Sequence, residues 1–154
     1  MDNELFVTNS ITINAPAAMV WDALVNPEKT KIYMFGCETV SDWKPGSPLL
    51  WKGIYEDMDM IFVKGHIINI EPEKHLSYTT IDPNSSIDDV SENYLTVTYD
   101  LSEQNGQTIL KVRQGDYSLV AEGERRFKEA SNDGEGWNPI LTQIKNLVEL
   151  VSQN

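Results

Sequence analysis

An apolar stripe near the end of the chain constrains the fold more strongly than any other feature. Its residues recur at spacings of three and four, which places them on one face of an α-helix. They are Trp137, Ile140, Leu141, Ile144, Leu147, Val148 and Val151. Such a helix needs a broad apolar surface to lie against. We interpret it either as an ordinary core helix or as a helix held by a curved sheet, with a cavity between them.

The start of this helix has two interpretations, because Pro139 lies inside the apolar pattern. In the first, Asn138 caps the helix and Pro139 occupies its first turn, where a proline costs no hydrogen bond. In the second, the helix begins near Asn132 and kinks at the proline. Asn132 and Glu135 have the spacing of a capping box, so we favour the earlier start with a kink.

Short segments in the rest of the chain alternate between apolar and polar residues, as β-strands do. The first strand covers residues 5–13, and Pro16 and Pro27 then introduce two short helices over residues 17–25 and 27–33. Further strands are predicted over residues 35–43, 49–55, 60–70, 76–81, 94–101 and 108–117, and a charged helical segment over 121–130. Asn105-Gly106 joins the last two strands with the strongest short-range hairpin signal.

This order of elements predicts one α+β domain over residues 1–154, with a mostly antiparallel sheet and its helices on one face. Residues 56–59 are predicted to form an acidic loop. In the strand that follows, apolar residues occupy both faces, so its register stays open. Either His66 or Ile67 therefore faces inward.

Charge disfavours two classes of partner. The chain has 12 basic and 24 acidic residues, a formal net charge of −12, so we expect no nucleic acid and no membrane as partner.

No apolar run approaches the ~20 residues of a membrane span, and the acidic segment of residues 1–4 differs from a signal peptide. Cys37 is the single cysteine, so no internal disulfide is possible. We expect a cytoplasmic protein that is a monomer or a weak homodimer.

No residue pattern supports a metal, a cofactor or a catalytic group. His66 and His75 are the only histidines, and their spacing across a turn matches no metal-ligand motif. Cys37 has no histidine near it in the sequence, which favours a small buried thiol over a nucleophile. Gly134-Glu135-Gly136 follows no strand and is not a dinucleotide fingerprint. We therefore expect no metal, no cofactor and no catalytic residue.

Large apolar residues from separate elements form the best candidate site, because the alternation of their strands predicts that they surround one space. They are Trp51, Phe62, Tyr78, Tyr99, Trp137 and Leu141. Gln114 shares the face of Leu110 and Val112, which predicts a buried amide. That amide needs a partner, a water or a ligand, because burying it unpaired costs about 1–3 kcal/mol. Such a cavity is a usual ligand site; the alternative is that these side chains only fill the core.

Several short motifs occur in an order that matches a known family. They are Ile13-Asn14-Ala15-Pro16, Val20-Trp21-Asp22-Ala23-Leu24, Asn26-Pro27-Glu28, Ser41-Asp42-Trp43-Lys44-Pro45-Gly46-Ser47-Pro48, Trp51-Lys52-Gly53, Lys64-Gly65, Ile70-Glu71-Pro72, Leu76-Ser77-Tyr78-Thr79, Gly106-Gln107-Thr108-Ile109-Leu110 and Gly136-Trp137. Over residues 5–152 the chain resembles the START-like (SRPBCC, helix-grip) superfamily, in particular the branch named after activators of the heat-shock protein 90 ATPase. The resemblance implies about seven antiparallel strands wrapped on the last helix around a cavity. It implies no set of catalytic residues.

Three functions follow, in decreasing order of preference. The first is a START-like domain that binds a small hydrophobic or aromatic molecule and performs no chemistry. The second, implied by the resemblance, is a protein–protein adaptor or co-chaperone-like stress-response module with a chaperone as its partner. The third is an enzyme of the cyclase or dehydratase type, which needs a titratable group inside the cavity. Asp116, at a strand end, and His66 are the candidates for that group.

Overall fold

The chain folds into seven strands and four α-helices in a computed structural model, which describes residues 4–152 and the side chains of residues 4–150. In chain order the elements are β1 (Val7–Ile13), α1 (Ala17–Val25), α2 (Pro27–Tyr33), β2 (Glu38–Ser41), β3 (Pro48–Tyr55), β4 (Met58–Glu71), β5 (His75–Thr80), β6 (Leu95–Gln104), β7 (Gln107–Gly115), α3 (Gly123–Ser131) and α4 (Asn138–Ser152). Residues 1–3 and the side chain of Val151, which enter the predictions above, lie outside the described part.

The strands form one sheet in the order β1-β7-β6-β5-β4-β3-β2, and every neighbouring pair is antiparallel. Helices α1 and α2 carry the chain from one edge strand, β1, to the other, β2. The remaining strands follow one another through turns or loops, which is why they pair with their sequence neighbours. The sheet is curved and not closed, so the predicted α+β helix-grip fold is confirmed.

Helix α4 buries its apolar stripe against β1 and α1, with Leu141 and Ile144 fully buried. It begins at Asn138, with Pro139 in its first turn. The predicted start near Asn132 with a kink is wrong. Asn132 and Asp133 have φ angles of 46° and 55°, in the left-handed region that ends a helix. They therefore end α3 and separate it from α4.

Two tight turns position the long hairpins of the sheet. Asn105 and Gly106 both have positive φ, as the turn predicted between β6 and β7 requires. Glu56 and Asp57 also have positive φ, at 50° and 63°. Because β4 already begins at Met58, the predicted acidic loop over residues 56–59 is wrong: the loop is a two-residue turn.

Two β-bulges in β4 explain why its register is hard to read from the sequence. Trp51 pairs with Val63 and Lys52 pairs with Ile61, so Phe62 is an extra residue in this strand. A second shift follows Ile67. Each bulge exchanges the odd and even positions that face the core, so apolar residues occur at both. Ile67 is the inward residue, and His66 is exposed.

Candidate ligand cavity

A cavity of about 470 Å³ lies between the start of α4 and the inner faces of β3 to β7. Fourteen residues line it: Met34, Phe35, Cys37, Trp51, Phe62, Val63, Tyr78, Thr80, Val97, Gln114, Ala130, Gly136, Trp137 and Ile140. The lining is predominantly apolar, and none of these residues is an aspartate, glutamate, lysine, arginine or histidine. The wall is therefore suited to contact with an uncharged molecule.

The structure places five of the seven predicted site residues in this wall: Trp51, Phe62, Tyr78, Gln114 and Trp137. Tyr99 and Leu141 do not line the cavity. Tyr99 lies behind the wall, with its hydroxyl 2.7 Å from that of Tyr78. Leu141 is fully buried in the core beneath α4. Tyr99 therefore supports the wall from behind, through its contacts with Tyr78 and Trp137.

A continuous series of ring contacts holds the aromatic side of the cavity in place. The ring centroids of Trp51 and Tyr78 are 6.3 Å apart, those of Tyr78 and Tyr99 are 5.6 Å apart, and those of Tyr99 and Trp137 are 6.0 Å apart. The last two pairs meet edge to face, an arrangement that aromatic rings favour. Because each ring is fixed by its neighbour, this side of the cavity is preformed.

Hydrogen bonds fix Trp137 between the sheet and the cavity. Its indole Nε1–H donates to Gln114 Oε1 at 2.9 Å. Of the three possibilities expected for the Gln114 amide, a partner, a water or a ligand, the structure therefore shows a partner for its oxygen, and that partner is another lining side chain. Its backbone N–H donates to Asn9 Oδ1 at 2.9 Å, and Asn9 Nδ2 donates to the side chain of Asn138 at 3.2 Å. Apart from its place on the inward face of β1, nothing in the sequence marks Asn9 as part of the site. Together these bonds tie the start of α4 to β1 and β7.

The bulge in β4 shapes the far side of the cavity. Phe62, the extra residue, lies over Gly53: a Cβ atom placed on that glycine would stand 2.7 Å from the Phe62 ring and 3.5 Å from Cys37 Sγ. Cys37 is buried, and desolvation raises the pKa of its thiol. This thiol therefore contributes a neutral, weakly polar surface to the wall.

The mouth of the cavity is built from residues that the sequence patterns missed. Met34 and Phe35 follow α2, while Ala130 and Gly136 flank the turn between α3 and α4. Phe35 is 84% exposed, so the cavity opens to solvent on this side. The predicted strand over residues 35–43 begins later, at Glu38, because Phe35 and the next residue have positive φ. Loop residues carry no periodicity, so no pattern placed them here.

Neither titratable candidate for an enzyme lies in the cavity wall. Asp116 Oδ1 accepts hydrogen bonds from the Leu5 backbone N–H at 2.9 Å, from the Ser118 hydroxyl at 2.6 Å and from the Ser118 backbone N–H at 2.9 Å, and these bonds lower its pKa. His66 lies on the outer face, where its Nδ1 is 3.0 Å from Thr79 Oγ1. These contacts give both side chains a local structural role.

Two further features are absent from the described part of the chain, a candidate metal site and a membrane-spanning helix. No group of three or more histidine, cysteine, aspartate or glutamate residues there is placed to hold a metal ion. No helix among residues 4–152 is both long and apolar enough to cross a membrane.

The chain is similar to one protein family and to several solved structures. A family model described as "Activator of Hsp90 ATPase homolog 1-like protein" matches residues 14–149. The solution structure of ChR145 from Cytophaga hutchinsonii is 32% identical, covers 100% of both chains and has a TM-score of 0.74. A search of curated proteins gives no match.

Two more distant structures share the fold. The crystal structure of NE0264 from Nitrosomonas europaea is 19% identical, with 100% of both chains covered and a TM-score of 0.73. That of CalU16 from Micromonospora echinospora is 18% identical, with 93% of this chain and 73% of that chain covered and a TM-score of 0.63.

Proposed function

Because the chain belongs to the Activator of Hsp90 ATPase homolog 1-like family, which has a START-like fold, we propose that it binds a small apolar or aromatic molecule in the cavity beneath α4. The observation that carries the proposal is the cavity of about 470 Å³ with its wall of aromatic and aliphatic side chains. Pockets for small organic molecules typically measure about 300–1,000 Å³, so the space suits a ligand of several rings.

The composition of the wall supports binding over catalysis. A ligand in this cavity exchanges water for apolar contacts with residues such as Trp51, Val97 and Ile140, and each Å² of apolar surface removed from water contributes about 25 cal/mol. General acid–base chemistry needs a titratable group within reach of the reacting atoms. The lining supplies none that ionises near neutral pH.

Native mass spectrometry of gently purified protein tests the proposal. We expect an excess mass that disappears on denaturation, or uptake of a molecule from a library of aromatic compounds and fatty acids. Ala130→Trp places a bulky ring at the mouth and should abolish uptake. Lys128→Trp, at an exposed position on the same helix, is the matched control and should leave uptake unchanged.

Two results would count against the proposal. One is a wild-type protein that carries no excess mass and takes up nothing from the library. The other is equal uptake by wild type and by Ala130→Trp, provided that the variant is folded, because the molecule would then be bound outside the cavity.

The tip of the β3–β4 hairpin favours a second candidate, a protein–protein adaptor with a chaperone as its partner. Ile54 is 71% exposed, Tyr55 57% and Met58 70%. Tyr55 and Met58 pair across the hairpin, so these two large side chains lie beside each other in solvent, and Ile54 adds an exposed apolar side chain on the opposite face of the tip. Exposed apolar clusters commonly mark interaction sites. Calorimetry with purified heat-shock protein 90 tests this candidate: Met58→Ser should weaken binding, and binding that does not change would argue against this surface.

A further inference from the structure

A row of five paired residues crosses the inner face of the sheet, and one of them carries an amide. Ile67, Tyr78, Val97, Gln114 and Val7 pair in succession across β4, β5, β6, β7 and β1. All five lie on the inner face, and three of them line the cavity. The Tyr78 hydroxyl already pairs with Tyr99 behind the wall. Gln114 is therefore the residue of this row whose polar group remains available on the cavity side.

Trp137 determines which end of that amide faces the cavity. An indole Nε1–H can donate but cannot accept a hydrogen bond, so the atom 2.9 Å from it must be the amide oxygen, Oε1. The amide nitrogen then points the other way. Among residues 4–150, Gln114 Nε2 has no hydrogen-bond partner, and it is not sealed inside the protein. It is therefore an unpaired, oriented donor on a residue that lines the cavity.

The other polar groups of the wall do not impose a direction. The Thr80 hydroxyl has no hydrogen-bond partner in the described part of the chain, and it can rotate to donate or to accept. The hydroxyls of Tyr78 and Tyr99 remain protonated, because burial raises the pKa of each. Only the Gln114 amide is held in one orientation, so it alone selects for a complementary atom.

The wall also discriminates against charge. A carboxylate or ammonium group that entered it would lose its hydration and meet no opposite charge among the lining residues. Such a transfer is strongly unfavourable. A neutral acceptor avoids that cost and still pairs with the amide N–H.

We propose that the cavity selects neutral aromatic or alicyclic molecules that carry a carbonyl oxygen, with Gln114 Nε2–H donating to that oxygen. This inference rests on the proposed ligand-binding function and specifies its ligand class. A carbonyl is the matching group because it accepts without bringing a donor of its own that needs a partner. Trp137 is a positioning residue in this arrangement, since it holds the amide oxygen away from the ligand.

Benzophenone and diphenylmethane test the inference, because they have the same two rings and differ in a carbonyl against a methylene group. Displacement of the neutral dye Nile red reports the affinity of each. We expect wild type to bind benzophenone at least about tenfold more tightly, because diphenylmethane leaves the amide donor unpaired. In the NMR spectrum of the wild-type protein, benzophenone should shift the Gln114 side-chain NH₂ signals and diphenylmethane should not.

Variants test whether the preference for benzophenone depends on the Gln114 amide or on another group of the wall. Gln114→Met alone would leave the indole N–H free to donate, so the informative variant is the double change Gln114→Met with Trp137→Phe. It should bind the two compounds about equally. Thr80→Val, which removes the other lining group without a partner, is the control and should keep the preference for benzophenone.

Different experimental results would contradict the inference and the proposed function. If wild type binds both compounds equally, or if the preference survives the double change, the assignment of Gln114 is wrong while ligand binding stands. If wild type binds Nile red but neither compound, the inference fails while ligand binding stands. If it binds neither the dye nor the two compounds and takes up nothing from the library, the proposed function fails together with the inference.

Discussion

The ring of Phe62 occupies the space above Gly53, where a side-chain Cβ would stand only 2.7 Å from it. This contact exists because the bulge between β3 and β4 turns Phe62, an extra residue in its strand, towards the core. The glycine is therefore part of the cavity's construction, since a larger residue would force the ring out of its position.

Gly53→Ala should destabilise the protein by about 1–3 kcal/mol, the usual cost of overpacking a core. The free energy of unfolding in urea is the measurement. Adding Phe62→Leu to the variant should recover part of the loss, because the two residues share one space. Lys52→Ala, at the neighbouring exposed position, is the control. Equal effects at Gly53 and Lys52 would contradict the contact.

The hydroxyls of Tyr78 and Tyr99 lie 2.7 Å apart and form a hydrogen bond behind the cavity. Changing either residue to phenylalanine leaves one buried hydroxyl without its partner, which should cost about 1–3 kcal/mol. The double change removes both and should cost clearly less than the sum. Urea denaturation of the four chains gives the coupling energy, with Tyr55→Phe, an exposed tyrosine, as control. Additive losses would mean that the pair contributes nothing.

Asp116 makes stability depend on acid pH. Hydrogen bonds from the Leu5 backbone N–H and from the hydroxyl and backbone N–H of Ser118 hold its pKa below the ordinary value of 3.8. A carboxylate whose pKa is lower in the folded state contributes stability above its unfolded pKa, and this contribution is lost as the pH falls through the folded value. The melting temperature should therefore fall less steeply below pH ~4 in Asp116→Asn than in wild type.

The same variant should be less stable than wild type at neutral pH, because an amide oxygen accepts these bonds less strongly than a carboxylate. Asp133→Asn is the control, since the Asp133 side chain makes no hydrogen bond or ion pair within residues 4–150. Parallel melting curves for wild type and Asp116→Asn at every pH would rule out the linkage.

Asn9 fastens the start of α4 to the first strand through its bond from the Trp137 backbone N–H. Asn9→Ala should cost about 1–3 kcal/mol, because that N–H loses its acceptor. Hydrogen exchange at the Trp137 amide should become faster, while Ser10→Ala on the exposed side of β1 should leave it unchanged. Unchanged exchange in Asn9→Ala would show that the helix start is held by packing alone.

Features that depend on local patterns could be predicted from the sequence. The apolar stripe of α4 and the Asn105-Gly106 turn have a physical cause within a few residues, and the structure contains both. The inward position of Gln114 followed from simple alternation along β7. Its partner, Trp137, could not be identified, because the bond joins elements that are distant in the sequence.

The remaining features depend on irregular backbone. The bulges in β4 shift its alternation, so periodicity alone does not show whether His66 or Ile67 faces inward. The start of α4 depended on left-handed backbone at Asn132, a residue whose sequence context also suited a helix cap. Tyr99 faces inward as predicted but lies one layer behind the cavity. Alternation predicts the face on which a residue lies, but it does not predict how deeply the residue is buried.

The presence of a single amide in the row from Ile67 to Val7 has an evolutionary consequence. The backbone pairing of Gln114 with Val97 and Val7 does not involve its side chain, so the residue can change without altering the sheet. One nucleotide substitution converts either glutamine codon to a codon for leucine, glutamate or lysine. A lineage with this fold can therefore remove the amide from the cavity wall, or replace it with an acidic or a basic side chain, in a single mutational step.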